Sequence, residues 1–363
     1  MEPDRTTITE EDVALLRSRW NDPDPEGEGT VLTRMVQRLK TECRKHHPER
    51  PLQLDLRGIQ LFHEDLSNLD LSGYDLSHAN LNRSDLKGSI LSYANIHRAS
   101  LEQAILDECE FIGSDLSHAS LNGCSGKRCG FGGADLSHAS IINADLSDAT
   151  LSRSKLIHTD LRASHLEKAR ITEADLSEAI FTRTKMAGAD LKQSDVQGTN
   201  FGLAEMQGCR LLGIKNFKKA RWIGADIRGL DLRGAYLVRR YIADENYLYE
   251  FQKSSRFHKA VYLMWWATSD CGRSLLRWFV WLILVTIIFA AAYTQVDIDY
   301  GRHATPLSPI YFSFVTLTTL GYGDAIPASM PAQVCVTLQA VTGYMGLGGL
   351  LSILGNKMAR RAE

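Results

Sequence analysis

The sequence predicts a mixed fold: a β-helical solenoid over most of the first two thirds of the chain, then an all-α bundle built for a membrane. Three observations predict it. An apolar residue recurs at every fifth position from Leu56 to Leu211, 32 positions of which only Gly126 is not a large apolar side chain. A second frame, two residues earlier, holds only Ala, Ser, Thr or Cys at its 27 positions from Ala79 to Cys209. Finally, residues 278–296 and 325–356 carry no charge, and each is long enough as a helix to cross a hydrocarbon layer.

Composition narrows the function classes. A net charge of −2 on 363 residues gives no bulk electrostatic reason to bind nucleic acid. The first twenty residues hold Glu2, Asp4, Arg5, Glu10, Glu11 and Asp12 and no apolar run, so a signal peptide is not expected and the N-terminal part is expected in the cytoplasm. Seven cysteines show no metal-ligand spacing and are expected as free thiols. No nucleophile–base pairing or phosphate loop is recognisable, so the chain is not expected to be an enzyme or to need a cofactor.

Residues 1–50 predict helices near 10–20 and 30–46, with Thr9 as an N-cap and an acidic, Pro/Gly-rich loop between them. They are expected to cover one open end of the solenoid, where strand edges would otherwise stand unpaired.

Residues 51–237 form the repeat. A period of five fits neither a helix nor an ordinary strand. It fits a solenoid of square cross-section, in which each five-residue unit makes one side and the large and small residues both point inward. The phase slips by one near residue 212 and resumes at Phe217, Trp222, Ile227, Leu232 and Leu237. Asp or Asn often precedes the large residue, as in Asp65, Asp75, Asn80, Asp135 and Asp175. This pattern resembles the pentapeptide-repeat family, which implies a right-handed quadrilateral parallel β-helix with stacked positions 20 residues apart. About nine coils at ~4.8 Å would make a rod on the order of 43 Å. Members of that family that mimic DNA are markedly acidic. Here 21 basic residues face 24 acidic ones, which favours a scaffold with an unassigned cytoplasmic partner.

Three local features stand out. His78, His118, His138 and His158 fall in one column with Arg98 in the gap, either a pH-sensing or metal-binding ladder or a by-product of repeat duplication. Gly123 to Gly133 interrupts the pattern, as a bulge, a contact point or a tolerated defect. Cys109, Cys124 and Cys129 sit at inward small positions and read as core fillers.

Residues 238–273 predict two helices, 241–253 and 256–267. Phe257, Val261, Met264 and Trp265 share a face of the second, which suits either an interfacial coupling helix or a passive tether.

Residues 274–361 predict the membrane part. Arg273 and Arg277 precede the first apolar stretch, Trp265, Trp266, Trp278 and Trp281 gather at that end, and Lys357, Arg360 and Arg361 follow the second. The segment between holds Asp297, Asp299, Arg302 and His303. This charge pattern predicts two spans in the cell membrane with both termini cytoplasmic. Residues 304–323 are also uncharged, but Pro306, Pro309, Gly321 and Gly323 argue for a short re-entrant helix near 309–318 followed by an extended loop. Such a loop is tolerated only where protein and a pore surround it.

That loop reads Thr319-Leu320-Gly321-Tyr322-Gly323-Asp324, and it resembles the selectivity filter of the potassium channel family, with Leu320 where Val is usual. Thr316 and Thr318, at the end of the short helix, share the resemblance. The resemblance implies that carbonyls of Thr319, Leu320, Gly321 and Tyr322 replace the hydration shell of K⁺. It also implies that Tyr322 braces the loop against the pore helix, that Asp324 closes the outer mouth, and that four copies form a homotetramer. Gly343 falls where related channels place a hinge; helix packing is the alternative, given Gly346, Gly348 and Gly349 nearby. No helix carries Arg at every third position, so no voltage sensor is expected. The sequence thus predicts a potassium-selective channel subunit with a cytoplasmic repeat domain, in contact with lipid and with copies of itself. The rival is a membrane-anchored binding protein whose pore is inactive.

Overall fold

The computed structural model describes residues 9–25, 29–43, 55–231, 233–301 and 304–362, with side chains to residue 355. Leu232, Arg302, His303 and the side chains of Lys357, Arg360 and Arg361, on which expectations above rest, lie outside the described residues. The chain divides into two compact units, Met1–Tyr247 and Leu248–Glu363.

In the first unit the five-residue period becomes a coil of twenty residues. Every fifth residue pairs in parallel with the one twenty positions on, from Asp55↔Asp75 to Asp195↔Lys215. The Leu76 N–H donates to the Asn95 carbonyl at 2.7 Å, and the Asn95 N–H donates to Tyr74 at 2.9 Å. Between rungs runs a β-turn: the Ala79 N–H reaches back to the Leu76 carbonyl at 3.0 Å, and His78, third in the turn, takes φ +59°. That left-handed corner admits Gly freely and Asn or His more readily than most residues.

The remaining positions follow from hydrogen-bond accounting. Asp115 accepts the Ser117 N–H at 2.9 Å, Asp135 that of Ser137 at 3.0 Å, and Asp175 that of Ser177 at 3.0 Å. The recurrent Asp therefore serves a turn N–H that the ladder leaves over. In the small frame, the Ser84 hydroxyl donates to the Leu81 carbonyl at 2.6 Å and that of Thr159 to Leu136 at 2.7 Å, so hydroxyls enter the core fully paired. The frame from Leu56 to Leu211 is buried throughout, each leucine contributing about 1.5–3 kcal/mol of transfer free energy.

Two expectations are corrected, and one alternative is removed. The phase slip falls between Lys215 and Arg221, where the pairing changes from Asp195↔Lys215 to Asn200↔Arg221. Asn216, at φ +56°, and a 3₁₀ turn over Phe217–Lys219 absorb the extra residue. Phe217 is consequently only partly buried, and Trp222 is the residue that stacks on Phe201, at 4.5 Å. Leu237 lies outside the repeat frame, on the helix that follows, and is 65% exposed. No bulge forms at 123–133, since Ser125↔Asp145 and Gly130↔Thr150 keep the twenty-residue register. Leu146 fills the gap above Gly126, its Cδ2 2.8 Å from where a Cβ would stand.

Helices cover both ends of the ladder. Helix α1 (Glu10–Ser18) opens on a capping box between Thr9 and Asp12, and a 3₁₀ turn (Arg19–Asn21) and α2 (Val31–Glu42) follow. Trp20, Leu39 and Cys43 join the solenoid core. The Trp20 indole donates to the Arg57 carbonyl at 3.1 Å, Arg19 pairs with Asp55 at 2.8 Å, and the Asp70 N–H donates to Cys43 at 3.1 Å. At the other end, Val238 and Ile242 of α3 (Tyr236–Ser254) enter the same core. Asn246 accepts the Gly224 N–H at 2.7 Å and donates to the Trp222 carbonyl at 3.2 Å.

The second unit contains α4 (Arg256–Ser269), α5 (Leu275–Tyr293), α6 (Ser308–Leu317) and α7 (Met330–Ala362), with a two-stranded antiparallel pair, β1 (Ile298–Asp299) and β2 (Ile326–Pro327). Among the described residues, α5 and the stretch Met330–Gly355 of α7 are long and apolar enough to cross a membrane. Helix α5 starts three residues before the uncharged stretch because Ser274 caps it, accepting the Arg277 N–H at 3.2 Å. Its face of Leu276, Val280, Ile283, Leu284, Ile287 and Ile288 is exposed, as suits a helix whose surroundings are apolar.

Candidate functional site

Helix α6 ends where the filter-like loop begins, and α6 occupies almost the span expected for the re-entrant helix. Pro309 lies in its first turn, where a missing N–H costs nothing. Thr316 is in its last turn, and Thr318 is the C-cap, its N–H and hydroxyl both bonded to the Phe314 carbonyl, at 3.0 and 2.8 Å. The Thr319 N–H then donates to Thr316 and the Leu320 N–H to Val315, both at 3.1 Å, so the helix hands the chain over without a break.

From Thr319 the backbone alternates. Thr319, Gly321 and Gly323 have φ of +58°, +51° and +76°, while Leu320 and Tyr322 between them stay negative. Left-handed φ at alternate residues is one of the conditions under which successive carbonyls turn to one side of a chain and successive N–H groups to the other. Neither Gly321 nor Gly323 would meet an atom within 4 Å if given a Cβ, so the glycines are demanded by backbone angle and not by crowding. Thr319 reaches the same region as a β-branched residue, a conformational cost that persists only where the surroundings impose it.

The loop returns against its own approach. Ile298 pairs with Pro327 and Asp299 with Ile326, and the Ala328 N–H donates to Asp297 at 3.0 Å. Gly301, at φ +67°, lies beside the Asp324 carbonyl, which a Cβ would meet at an ordinary contact distance of 3.5 Å. Tyr322 is 66% exposed, and Leu320 is exposed beside it. Most of the Tyr322 ring is thus left uncovered by its own chain.

A buried polar network beneath the loop escaped the sequence reading. The Tyr293 hydroxyl of α5 donates to Gln339 Oε1 of α7. Gln339 Nε2 donates to the Ser313 carbonyl at 3.0 Å and to Ser313 Oγ at 2.6 Å, and Ser313 Oγ donates to the Thr286 carbonyl at 2.8 Å. Gln339 and Ser313 have no exposed surface. The signal available in the sequence was a primary amide in the middle of an apolar span.

Gly343 lies one turn beyond Gln339, within unbroken helix. A Cβ there would stand 2.3 Å from the Leu317 carbonyl oxygen, so close packing on the end of α6 accounts for the glycine. Gly346 and Gly349 make room for Leu282 and the Trp278 ring, and the Trp278 indole donates to the Gly346 carbonyl at 2.9 Å.

The histidine column of the first unit is longer than expected. His97, next to Arg98, bridges the gap: ring centroids run His78–His97 at 6.1 Å, His97–His118 at 5.5 Å, His118–His138 at 4.8 Å and His138–His158 at 5.0 Å. The last two contacts are face-to-face stacks. Burial first, then His97, Arg98 and Arg17, depress the His78 pKa; burial, His138 and Arg98 do the same for His118. No group of three or more His, Cys, Asp or Glu among the described residues could hold a metal ion, which removes support from the metal reading of the column.

Two family models match the chain, each in a different part of it. The ion channel family model matches residues 278–360, and pentapeptide repeats match in eight copies over overlapping segments from 55–92 to 144–183. The chain is 35% identical over 82 residues to the inward rectifier potassium channel Kirbac3.1 of Paramagnetospirillum magnetotacticum, covering 22% of this chain and 28% of that one. It is 34% identical over 84 residues to two pore potassium channel b of Oryza sativa subsp. japonica, 23% of each. The chain therefore spans roughly a quarter of the length of these curated relatives. Among solved structures, HetL, a pentapeptide repeat protein involved in heterocyst differentiation regulation from Nostoc sp. strain PCC 7120, is 24% identical over 55% of this chain and 94% of that one, with a TM-score of 0.27.

Proposed function

We propose that the chain, which matches the pentapeptide-repeat model in its first part and the ion channel model in its second, is one subunit of a potassium-selective channel. The observation that carries this is the loop Thr319–Asp324, with its alternating backbone at the end of a short helix held between two apolar helices. Carbonyls of Thr319, Leu320, Gly321 and Tyr322, turned to one side, are suited to take over the hydration shell of K⁺ and pass it down its gradient. One chain supplies one quarter of such an oxygen ring, so the working form is a homotetramer. Tyr322 is then braced by the neighbouring subunit, which accounts for its exposure in the single chain.

In this reading residues 274–361 are the pore, with α5 and α7 as the two spans, α6 re-entrant from the outer side and both termini cytoplasmic. Residues 51–237 form a right-handed, four-sided β-helix that serves as a cytoplasmic scaffold or regulatory module, 1–50 is its cap, and 238–273 is the link to the membrane. The near balance of 21 basic and 24 acidic residues over 51–237 speaks against a solenoid face that imitates nucleic acid.

The test is K⁺ against Na⁺ flux through the purified full chain in liposomes, with Gly323→Asp as control. Barium-sensitive, K⁺-selective flux that the substitution abolishes is expected. Silence of tetrameric protein from pH 5 to 8 would overturn the proposal in favour of an anchored binding protein.

A further inference from the structure

We infer that Gln339 is a positioning residue for the pore: it clamps α6 between α5 and α7 and thereby sets the ion preference of the loop that α6 carries. The inference rests on the channel reading above. It goes beyond it in assigning that preference to a side chain outside the filter.

The hydrogen-bond directions are fixed by chemistry. The Ser313 carbonyl can only accept, so Gln339 must present its NH₂ to it, which leaves Oε1 for the Tyr293 hydroxyl. Ser313 Oγ, accepting from the same NH₂, then spends its own proton on Thr286. Tyr293, Gln339 and Ser313 thus place every donor in one chain running from α5 through α7 to α6 and back to α5. Tyr293 is 1% exposed, and Gln339 and Ser313 are fully buried, so no water replaces a missing partner, and a buried polar network of this kind holds only when complete.

Geometry joins the clamp to the filter. Ser313 and Leu317 are one helical turn apart on α6, as are Gln339 and Gly343 on α7. Gln339 grips the first and Gly343 abuts the second. Two contacts one turn apart fix both the position and the rotation of the last turn of α6, from which Thr319 departs. An amide is required in the middle because a single side chain must accept from α5 and donate to α6. Leu can do neither, Met accepts only weakly and cannot donate, and ionised Glu cannot donate. Protonated Glu can do both.

The experiment compares wild type, Gln339→Met, Gln339→Glu, Tyr293→Phe and the Tyr293→Phe/Gln339→Met double variant, as the full chain in liposomes at pH 5, reading the K⁺:Na⁺ flux ratio. Gln339→Met is expected to lower the ratio about tenfold, the scale of one buried hydrogen bond lost. Adding Tyr293→Phe is expected to cost nothing further, because the hydroxyl acts through the amide. Gln339→Glu, whose carboxyl burial at this fully enclosed position holds in its protonated form at pH 5, is expected to regain most of the ratio. Should Gln339→Met fail to assemble, Tyr293→Phe, which keeps the ring and its packing, still carries the test with a loss of about threefold. An unchanged ratio in Gln339→Met or Tyr293→Phe, additive losses, or Gln339→Glu as impaired as Gln339→Met would overturn the inference. Wild type without K⁺-selective flux would instead overturn the channel reading beneath it.

Discussion

Gly343 of α7 lies against the carbonyl of Leu317 in the last turn of α6, and a methyl group on the glycine would stand 2.3 Å from that oxygen. Backbone, unlike the far end of a side chain, cannot swing aside. Gly343→Ala is therefore expected to push α6 away from α7 and destabilise the second unit by about 1–3 kcal/mol, the usual cost of overpacking. Gly348→Ala, where no atom lies within 4 Å, is expected to leave stability unchanged. Thermal unfolding of the two variants in detergent would separate them. Equal midpoints would show that the close approach does not constrain the helix.

The cap at the start of the solenoid makes a second prediction. Trp20 is buried in the core of the first coils and donates its indole N–H to Arg57. Trp20→Ala is expected to destabilise the first unit by about 3–5 kcal/mol and to expose the ladder edge. Chemical denaturation of the full chain followed by circular dichroism checks the first effect, and concentration-dependent association checks the second.

Thiol chemistry offers a third. Cys109, Cys124, Cys129 and Cys209 are buried and unpaired, and burial pushes the Cys124 and Cys209 thiols up to about 12. These four are expected to resist iodoacetamide at pH 8 in folded protein and to react together once the solenoid unfolds, since alkylation needs the thiolate. Mass spectrometry of trypsin digests reads this directly. Alkylation of Cys124 under native conditions would show that the coil opens locally.

The histidine column sets a pH dependence. His78 faces His97, Arg98 and Arg17, with Asp75 opposing, and His118 faces His138 and Arg98, with Asp115 and Asp135 opposing. Both pKa values lie below the ordinary imidazole value in the folded chain, so the unfolded chain takes up protons first. Stability of the first unit is expected to be complete above about pH 6.5 and to fall as pH drops below it, until the depressed folded values have been passed. His78→Asn/His118→Asn keeps residues suited to the left-handed corner and is expected to flatten the fall. Denaturant midpoints from pH 5 to 8 test it, and a profile unchanged by the double substitution would remove these two rings from the account.

Much of this architecture could be read from the chain because the solenoid makes no use of distant partners. Each Leu, each small residue and each Asp answers to a need within its own unit or one twenty residues away, so position alone disclosed the frame. The same locality placed α6 and the filter-like loop, whose prolines and glycines mark their limits. What escaped required three elements to meet. Gln339, Ser313 and Tyr293 are separated by 26 and 46 residues, and no periodicity connects them. His97 escaped for a related reason: it belongs to the neighbouring column, and only the tilt of its ring toward His78 and His118 brings it into line. The slip at Lys215–Arg221 was misplaced because Leu212 and Ile214 continue an apolar pattern past the last regular unit.

The twenty-residue coil also makes the length of the first unit a counted quantity. Removing or duplicating twenty residues restores every column above the cut and merely changes the number of storeys. Removing five shifts everything above by one unit of the coil, and removing one breaks the inward frame altogether. Gene-level change in this region is thus permitted in whole storeys and punished in fractions. The single extra residue at Asn216–Ala220, just before the last coil gives way to α3, sits where almost nothing above it remains to be misaligned.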